Sequence, residues 1–296
     1  MLNIIGKRKI WYATSAVLFA ASILAVMIWG LNFGIDFTGG TLYEIKWANA
    51  VPDNAAIAAA ISKADHLEVV VQQAGETNTL MRLPNVTEEV HQNIAKELLK
   101  LGVFEELSFE TVGPTVGQEL KQRSITALII VLLAIIAYIS FTFRKVSKPV
   151  ASWRYGIVAV VALFHDVIIP VGIFAALGHF LDVKIDILFV TAVLTVLGFS
   201  VHDTIVVFDR IRENLTRRPE KTFEGTVNKS VNETLARSIN TSVTVLLVLL
   251  AVFFFGGITV KYFVLMLILG VVFGIYSSIF IASPLLVSWY LKSVKK

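Results

Sequence analysis

Six apolar runs dominate the hydropathy pattern of this 296-residue chain: 10–31, 124–143, 155–181, 187–208, 239–258 and 263–291. Each meets the roughly 20 residues that a helix needs to cross a bilayer. The first run is longer than the ~7–15 apolar residues of a cleaved leader, and no clear small-residue cleavage site follows it, so a retained anchor is expected. The connections at 182–186 and 259–262 are tight, whereas 209–238 is long and rich in both charges.

Between the first two runs the period changes. Thr41–Trp47 alternates as a strand does, and Asp53 is placed to cap a helix through Lys63. Glu68–Gln73 and Thr79–Leu83 read as short strands joined across Gly75–Asn78 in a hairpin turn. Thr87 is placed to cap a second helix with Val90, Ile94, Leu98 and Leu101 on one face, ended by Gly102. Phe104–Val112 is a last strand. The order β-α-β-β-α-β is that of the ferredoxin-like fold, and about 90 residues can hold a small core. The predicted class is an α-helical polytopic membrane protein with six transmembrane helices and an exported ferredoxin-like α+β domain between helices one and two. Its expected parts are 1–31, 32–122 and 123–296, with the last carrying helices two to six.

Composition agrees with a bilayer environment. Charged residues make up 16% and the mean hydropathy is +0.74, against about 25% charged residues in soluble domains. Lys and Arg supply the orientation. Lys7, Arg8 and Lys9 precede the first run, while Arg144, Lys145, Lys148 and Arg154 fill a loop without an acid. Seven more basic residues lie in 209–238, and Lys292, Lys295 and Lys296 end the sequence. Both termini are therefore expected in the cytoplasm, with 32–122 on the far side, where thirteen acids outnumber six bases. The formal charge of +4 is accounted for by a basic surface facing membrane lipids, and nucleic acid is not required. The 209–238 segment is expected to include a helix along the membrane surface. Cysteine is absent, which excludes disulfide, zinc-thiolate and iron–sulfur chemistry.

Two dipeptides interrupt the apolar pattern, His165-Asp166 and His202-Asp203. An ionisable residue near the bilayer centre costs at least roughly 2.5–3.5 kcal/mol, so such residues usually mark an ion, proton or substrate path. Thr191, Thr195, Gly198 and His202 share one helix face, and Asp203 lies about 100° further round. A carboxyl desolvated there can load and release a proton near neutral pH, as a relay needs; a protonated structural hydrogen bond to a neighbouring helix is the ordinary alternative. His165 is as readily a satisfied core histidine as a relay member. Pro170 lacks the N–H that would bond the Asp166 carbonyl, so a kink and a polar cavity are expected beside that acid. Arg237, Asn240, Thr241 and Thr244 form a polar stripe entering the fifth run. Arg237 is the natural counter-ion for Asp203, and snorkelling to headgroups is its ordinary alternative. The candidate set is thus Asp203, Arg237, Asp166, His165, His202 and Thr241. Two His and two Asp can ligate zinc or iron in principle, but HExxH spacing is absent, as are Walker, GxSxG and nucleotide fingerprints. Gly39-Gly40 reads as a tight turn into the first strand.

Gly34–Thr41 (GIDFTGGT), Val112–Glu119 (VGPTVGQE), Phe199–Asn214 (FSVHDTIVVFDRIREN) and Asn232–Ser242 (NETLARSINTS) together resemble the SecF family. That family supplies the smaller membrane subunit of the bacterial SecD–SecF protein-export complex and is related to the resistance–nodulation–division transporters. The resemblance covers nearly the whole sequence. It implies a non-enzymatic, proton-driven auxiliary of the Sec channel in the bacterial cytoplasmic membrane, with the proton gradient as energy source and no cofactor. It further implies SecD as a separate subunit, the SecYEG channel with its accessory subunits, and unfolded exported polypeptide as partners. The family's proton-path Asp and Arg fall on Asp203 and Arg237, and His165-Asp166 stands where a similar pair is common. Family members usually carry Asn at the position of His202, so the resemblance assigns that residue no duty of its own. Two other activities are compatible with intramembrane acids. One is small-molecule or lipid efflux within the same superfamily, whose members typically have two large exported loops. The other is an intramembrane hydrolase, for which neither a nucleophile motif nor a metal motif is present.

Overall fold

The computed structural model describes residues 1–142, 150–217 and 220–294. The basic residues Arg144, Lys145, Lys148, Arg218, Lys295 and Lys296, used above for orientation, lie outside the described residues. The elements run α1 (Arg8–Trp29), α2 (Ile35–Thr38), β1 (Gly40–Trp47), α3 (Asn54–Asp65), β2 (Val70–Ala74), β3 (Asn78–Leu83), α4 (Glu88–Leu99) and β4 (Phe104–Val112). They continue with α5 (Pro114–Thr142), α6 (Ser152–Leu181), α7 (Ile187–Arg217), α8 (Phe223–Phe255), α9 (Ile258–Ser277), a π-helical turn (Ser278–Ala282) and α10 (Ser283–Val294). Two compact units result: residues 33–125, and residues 1–32 with 126–296.

In the first unit the four strands form an antiparallel sheet in the order β2-β3-β1-β4, as the predicted ferredoxin-like class requires. Alternation along β1 sends Tyr43, Ile45 and Trp47 to the core, where Ile57 and Ile61 of α3 and Ile94 and Leu98 of α4 meet them. Each such side chain contributes about 1.5–3 kcal/mol on burial. The buried Trp47 indole donates to Thr79 Oγ1 at 2.9 Å, so its one polar atom is satisfied. Strand β4 occupies the expected residues, while β2 begins two residues later than the alternation implied. Asp53 and Thr87 do stand at the N-cap positions of α3 and α4, but neither side chain makes the capping bond. Helix α4 ends at Leu99, capped by Lys100, so Leu101 is 38% exposed instead of continuing the buried face.

The Gly39-Gly40 turn has a second reason for its residues. Gly39 adopts φ +76° and Gly40 φ +132°. A Cβ on Gly39 would stand 2.8 Å from Pro114 Cα, and one on Gly117 3.0 Å from Gly39 N. The stretches that enter and leave the sheet unit therefore touch backbone to backbone, which only glycine permits.

In the second unit, six of the described helices are long and apolar enough to span a membrane. Two expectations are corrected there. The charged stretch after Phe208 does not form a separate surface helix: 209–217 extends α7 and 223–238 is the first half of α8. Arg210 Nε to Glu233 Oε2 (2.7 Å) and Asn214 Nδ2 to Glu233 Oε2 (2.7 Å) tie these extensions together, and Arg210 Nη1 to Glu213 Oε2 (2.7 Å) braces α7 itself. The sixth run is not one regular helix, because the π turn divides α9 from α10. Helix α6 runs through Pro170 as one continuous helix. Helices α6, α7 and α9 form the packed centre, and Gly270 and Gly274 let α9 reach α7: a Cβ there would lie 2.1 Å from Val196 and 3.3 Å from Ser200. Small residues at four-residue spacing are how helices approach closely in lipid.

Candidate functional site

Asp203 is buried on α7, on the face that packs against α8 and α9. Its Oδ1 accepts a 2.6 Å hydrogen bond from the Ser238 hydroxyl of α8. Its Oδ2 is buried and has no hydrogen-bond partner among the described residues. Ser278, whose hydroxyl meets that of Thr204 at 2.8 Å, lies beside the same carboxyl.

Asp166 is wholly buried on α6. Its Oδ2 accepts from Ser200 of α7 at 2.5 Å and from Ser277 of α9 at 2.6 Å, and its Oδ1 stands 3.0 Å from His165 Nδ1. Its polar neighbours among the described residues are two hydroxyls and an imidazole, in place of the polar cavity expected beside Pro170. His165 stacks on Tyr276, and its Nε2 is buried without a partner among the described residues. Neighbouring positions on a helix diverge, yet the long imidazole folds back to its own neighbour.

The remaining candidates are placed differently. Arg237, Asn240, Thr241 and Thr244 are exposed, as are Thr191, Thr195, Gly198 and His202. No ion pair joins Arg237 to Asp203 among the described residues; the side chain that reaches Asp203 is the next one, Ser238. The reason is helical phase. Thr226, Ser230, Thr234, Ser238 and Ser242, every fourth residue, are the buried face of α8, which turns Arg237 about 100° away. Arg237 instead lines a cleft of about 310 Å³ with Asp209, Arg210, Glu213 and Thr234. Thr241 donates to the carbonyls of Arg237 and Ser238 of its own helix.

The serines at 200, 238, 277 and 278 and Thr204 were not among the candidates from sequence. The signal for Ser238 was present in the four-residue repeat from Thr226 to Ser242; for Ser277 and Ser278 it needed the π turn. Taken together, the site holds two carboxyls among hydroxyl groups that both donate and accept. Such a site can hold a proton at a carboxyl oxygen or pass it on. No cluster of three or more metal-ligating side chains occurs among the described residues.

The sheet unit has its own linked polar groups. Tyr43 donates to Glu106 at 2.9 Å, and His91 Nε2 is 3.0 Å from the same oxygen. Burial first, then the Glu106 carboxylate, raise the Tyr43 phenol well above its ordinary value. Hydrogen bonds from Gln92 and then His91 hold the Glu88 carboxyl below its ordinary range.

A bundle of membrane helices with intramembrane acids, joined to a small antiparallel sheet unit between helices one and two, defines a polytopic membrane protein of the transport type. Comparison with known proteins makes this specific. The family model for the C-terminal region of the protein export membrane proteins SecD/SecF matches residues 92–292, and that for the SecD/SecF GG motif matches 30–46. The protein translocase subunit SecF of Thermobaculum terrenum is 48% identical, over 98% of this chain and 94% of that protein. The SecF subunit of Anaerolinea thermophila is 39% identical, with the same coverage. Among solved structures, SecDF from Thermus thermophilus, described as a translocon-associated membrane protein, matches with a TM-score of 0.84 and 32% identity over 97% of this chain. The chain spans 38% of the length of that SecDF chain. This chain belongs to the SecF family, as a multi-pass membrane protein of bacterial Sec-dependent protein translocation.

Proposed function

We propose that this chain is a non-enzymatic, cofactor-free subunit that, together with SecD, uses the proton gradient to promote late steps of export through the SecYEG channel. In this reading both termini are cytoplasmic and the sheet unit, taken as 32–122 within parts bounded at 1–31 and 123–296, contacts emerging unfolded polypeptide. Asp203 exchanges the proton. Asp166 with His165 supports it, and Arg237, His202 and Thr241 face the partner that completes the path. The observation that carries the reading is the Asp203 carboxyl, buried in a membrane span with one oxygen on Ser238 and the other, beside Ser278, without a hydrogen-bond partner among the described residues. An unpaired buried polar atom costs about 1–3 kcal/mol, and burial at membrane depth adds to that cost, which favours a group with a use for its proton.

Association with SecD is supported by the two exposed polar stripes. Polar side chains at membrane depth face protein or water-filled cavities and not lipid, and those of α7 and α8 are exposed, with no covering element among the described residues. Likewise only 6% of the hydrophobic stretch of α5 and 11% of that of α8 is buried.

Energetics fit an auxiliary role. A proton crossing ~100 mV supplies about 2.3 kcal/mol, and one pH unit adds about 1.36 kcal/mol. That biases two states differing by a few kcal/mol, which suits ratcheting of an unfolded chain and not forced unfolding of a domain. The test is export into inverted membrane vesicles with and without a proton gradient. Asp203→Asn is expected to remove the gradient-dependent increase while leaving membrane insertion and co-purification with SecD intact. Export equal to the unaltered protein refutes the reading.

A further inference from the structure

Two consecutive residues, Ser277 and Ser278, reach both acids. Ser277 donates to Asp166, and Ser278 meets Thr204 beside Asp203. On α7 the partners Ser200, Asp203 and Thr204 fall within about one helical turn. All of Ser200, Thr204, Ser277 and Ser278 are buried to at least 98%. Ser277 is the last residue of α9 and Ser278 the first of the π-helical segment, and single π turns inside α-helices occur frequently at functional sites.

We propose that this π turn couples the two carboxyls, so that loss of a proton at Asp203 alters the proton affinity of Asp166 and the reverse. The proposal rests on the reading of Asp203 as a proton-exchanging group. A serine hydroxyl has one proton to donate. Ser278 gives it either to Thr204 or to the unpartnered Asp203 Oδ2, and ionisation of Asp203 favours the latter. Ser277 has a comparable choice, because its hydroxyl reaches the Gly274 carbonyl at 3.2 Å as well as Asp166 Oδ2. Redirecting Ser278 pulls on the backbone that carries Ser277. The turn has little freedom to absorb that pull: Ser283 donates to the Ser278 carbonyl at 3.0 Å, and Gly274 lies against Ser200. The other ionisable groups near the network are His165 and Tyr276 on the Asp166 side, and the exposed His202 and Arg237 on the Asp203 side. Ionisation of Asp203 breaks its carboxyl O–H and passes the proton to water, while each serine keeps its own O–H and changes only the acceptor it faces.

Infrared difference spectroscopy of the complex with SecD in lipid nanodiscs tests this through the protonated-carboxyl stretch. The Asp203 band is assigned by its loss in Asp203→Asn. Asp166→Asn is expected to move the midpoint of its titration by about 1 pH unit, the scale of strongly interacting sites. In a Ser277→Ala/Ser278→Ala background the same replacement is expected to leave the midpoint where it was. Ser277→Thr/Ser278→Thr, which retains both hydroxyls, is expected to restore the shift. A titrating band that Asp166→Asn does not move overturns the coupling while leaving Asp203 as a proton carrier. A shift that survives removal of both hydroxyls overturns the role of the turn. A band that never titrates overturns the proton-exchange reading itself, and the coupling with it.

Discussion

The sheet unit and the helical unit are held together by different physics. The core of the first is made of large side chains: Tyr43, Ile45, Trp47, Ile57, Ile61, Met81, Ile94 and Leu98 are at most 2% exposed. The buried centre of the second is threaded with Ser200, Thr204, Ser230, Ser238, Ser242, Ser277, Ser278 and Ser283, besides Asp166 and Asp203. Water drives apolar side chains together in one. Among lipid tails there is no such drive between helices, so close approach of small residues and interhelical hydrogen bonds do the work instead. The lesson is that hydroxyl groups in the bundle serve packing and chemistry at once, whereas in the sheet unit the two are separable.

That contrast predicts a graded response to substitution, read by hydrogen exchange of the intact chain in nanodiscs. Gly270→Leu should have the largest effect, because even a Cβ there lies 2.1 Å from Val196; α7 and α9 are expected to separate and the yield of folded protein to collapse. Ile45→Ala should cost about 2–5 kcal/mol, confined to protection of the sheet, with exchange in the spans unchanged. If the spans loosen as well, the two units are not independent in stability. Ser278→Ala, which removes the 2.8 Å hydrogen bond to Thr204 of α7, should cost only about 0.6 kcal/mol and at most about 1.7 kcal/mol. A loss as large as that of Ile45→Ala would break the distinction drawn here. Arg237→Lys should leave exchange unaltered and still reduce gradient-dependent export, since a planar guanidinium is not replaced by an ammonium. Undiminished export would reduce Arg237 to a surface anchor.

Much of this architecture was legible before the structure. Two-residue alternation marked β1, and length with hydropathy marked the spans, because both signals come from burial of apolar surface. The site was half legible. Asp166 and Asp203 stand out because charge is rare at membrane depth. Their partners do not, because serine is common and carries little hydropathy. The stripe chosen on the fifth span, Arg237 to Thr244, was the more polar one and proved to face outward, while the quieter repeat through Ser238 faces inward. Polarity alone identifies a face that avoids lipid without telling which protein covers it. The charged 209–217 stretch continues α7 because its acids and bases pair at helical spacing, as Arg217 with Glu213, so a composition suited to a membrane surface was equally suited to a helix leaving the bilayer. The π turn left no signature in periodicity, since it spans only five residues.

Proton movement itself is measured by reconstituting the chain with SecD in liposomes that enclose a pH-sensitive dye and imposing a pH step. Unaltered protein is expected to dissipate the step, and Asp203→Asn, assembled to the same extent, to hold it at the level of empty liposomes. Equal dissipation by the two would contradict a path through Asp203.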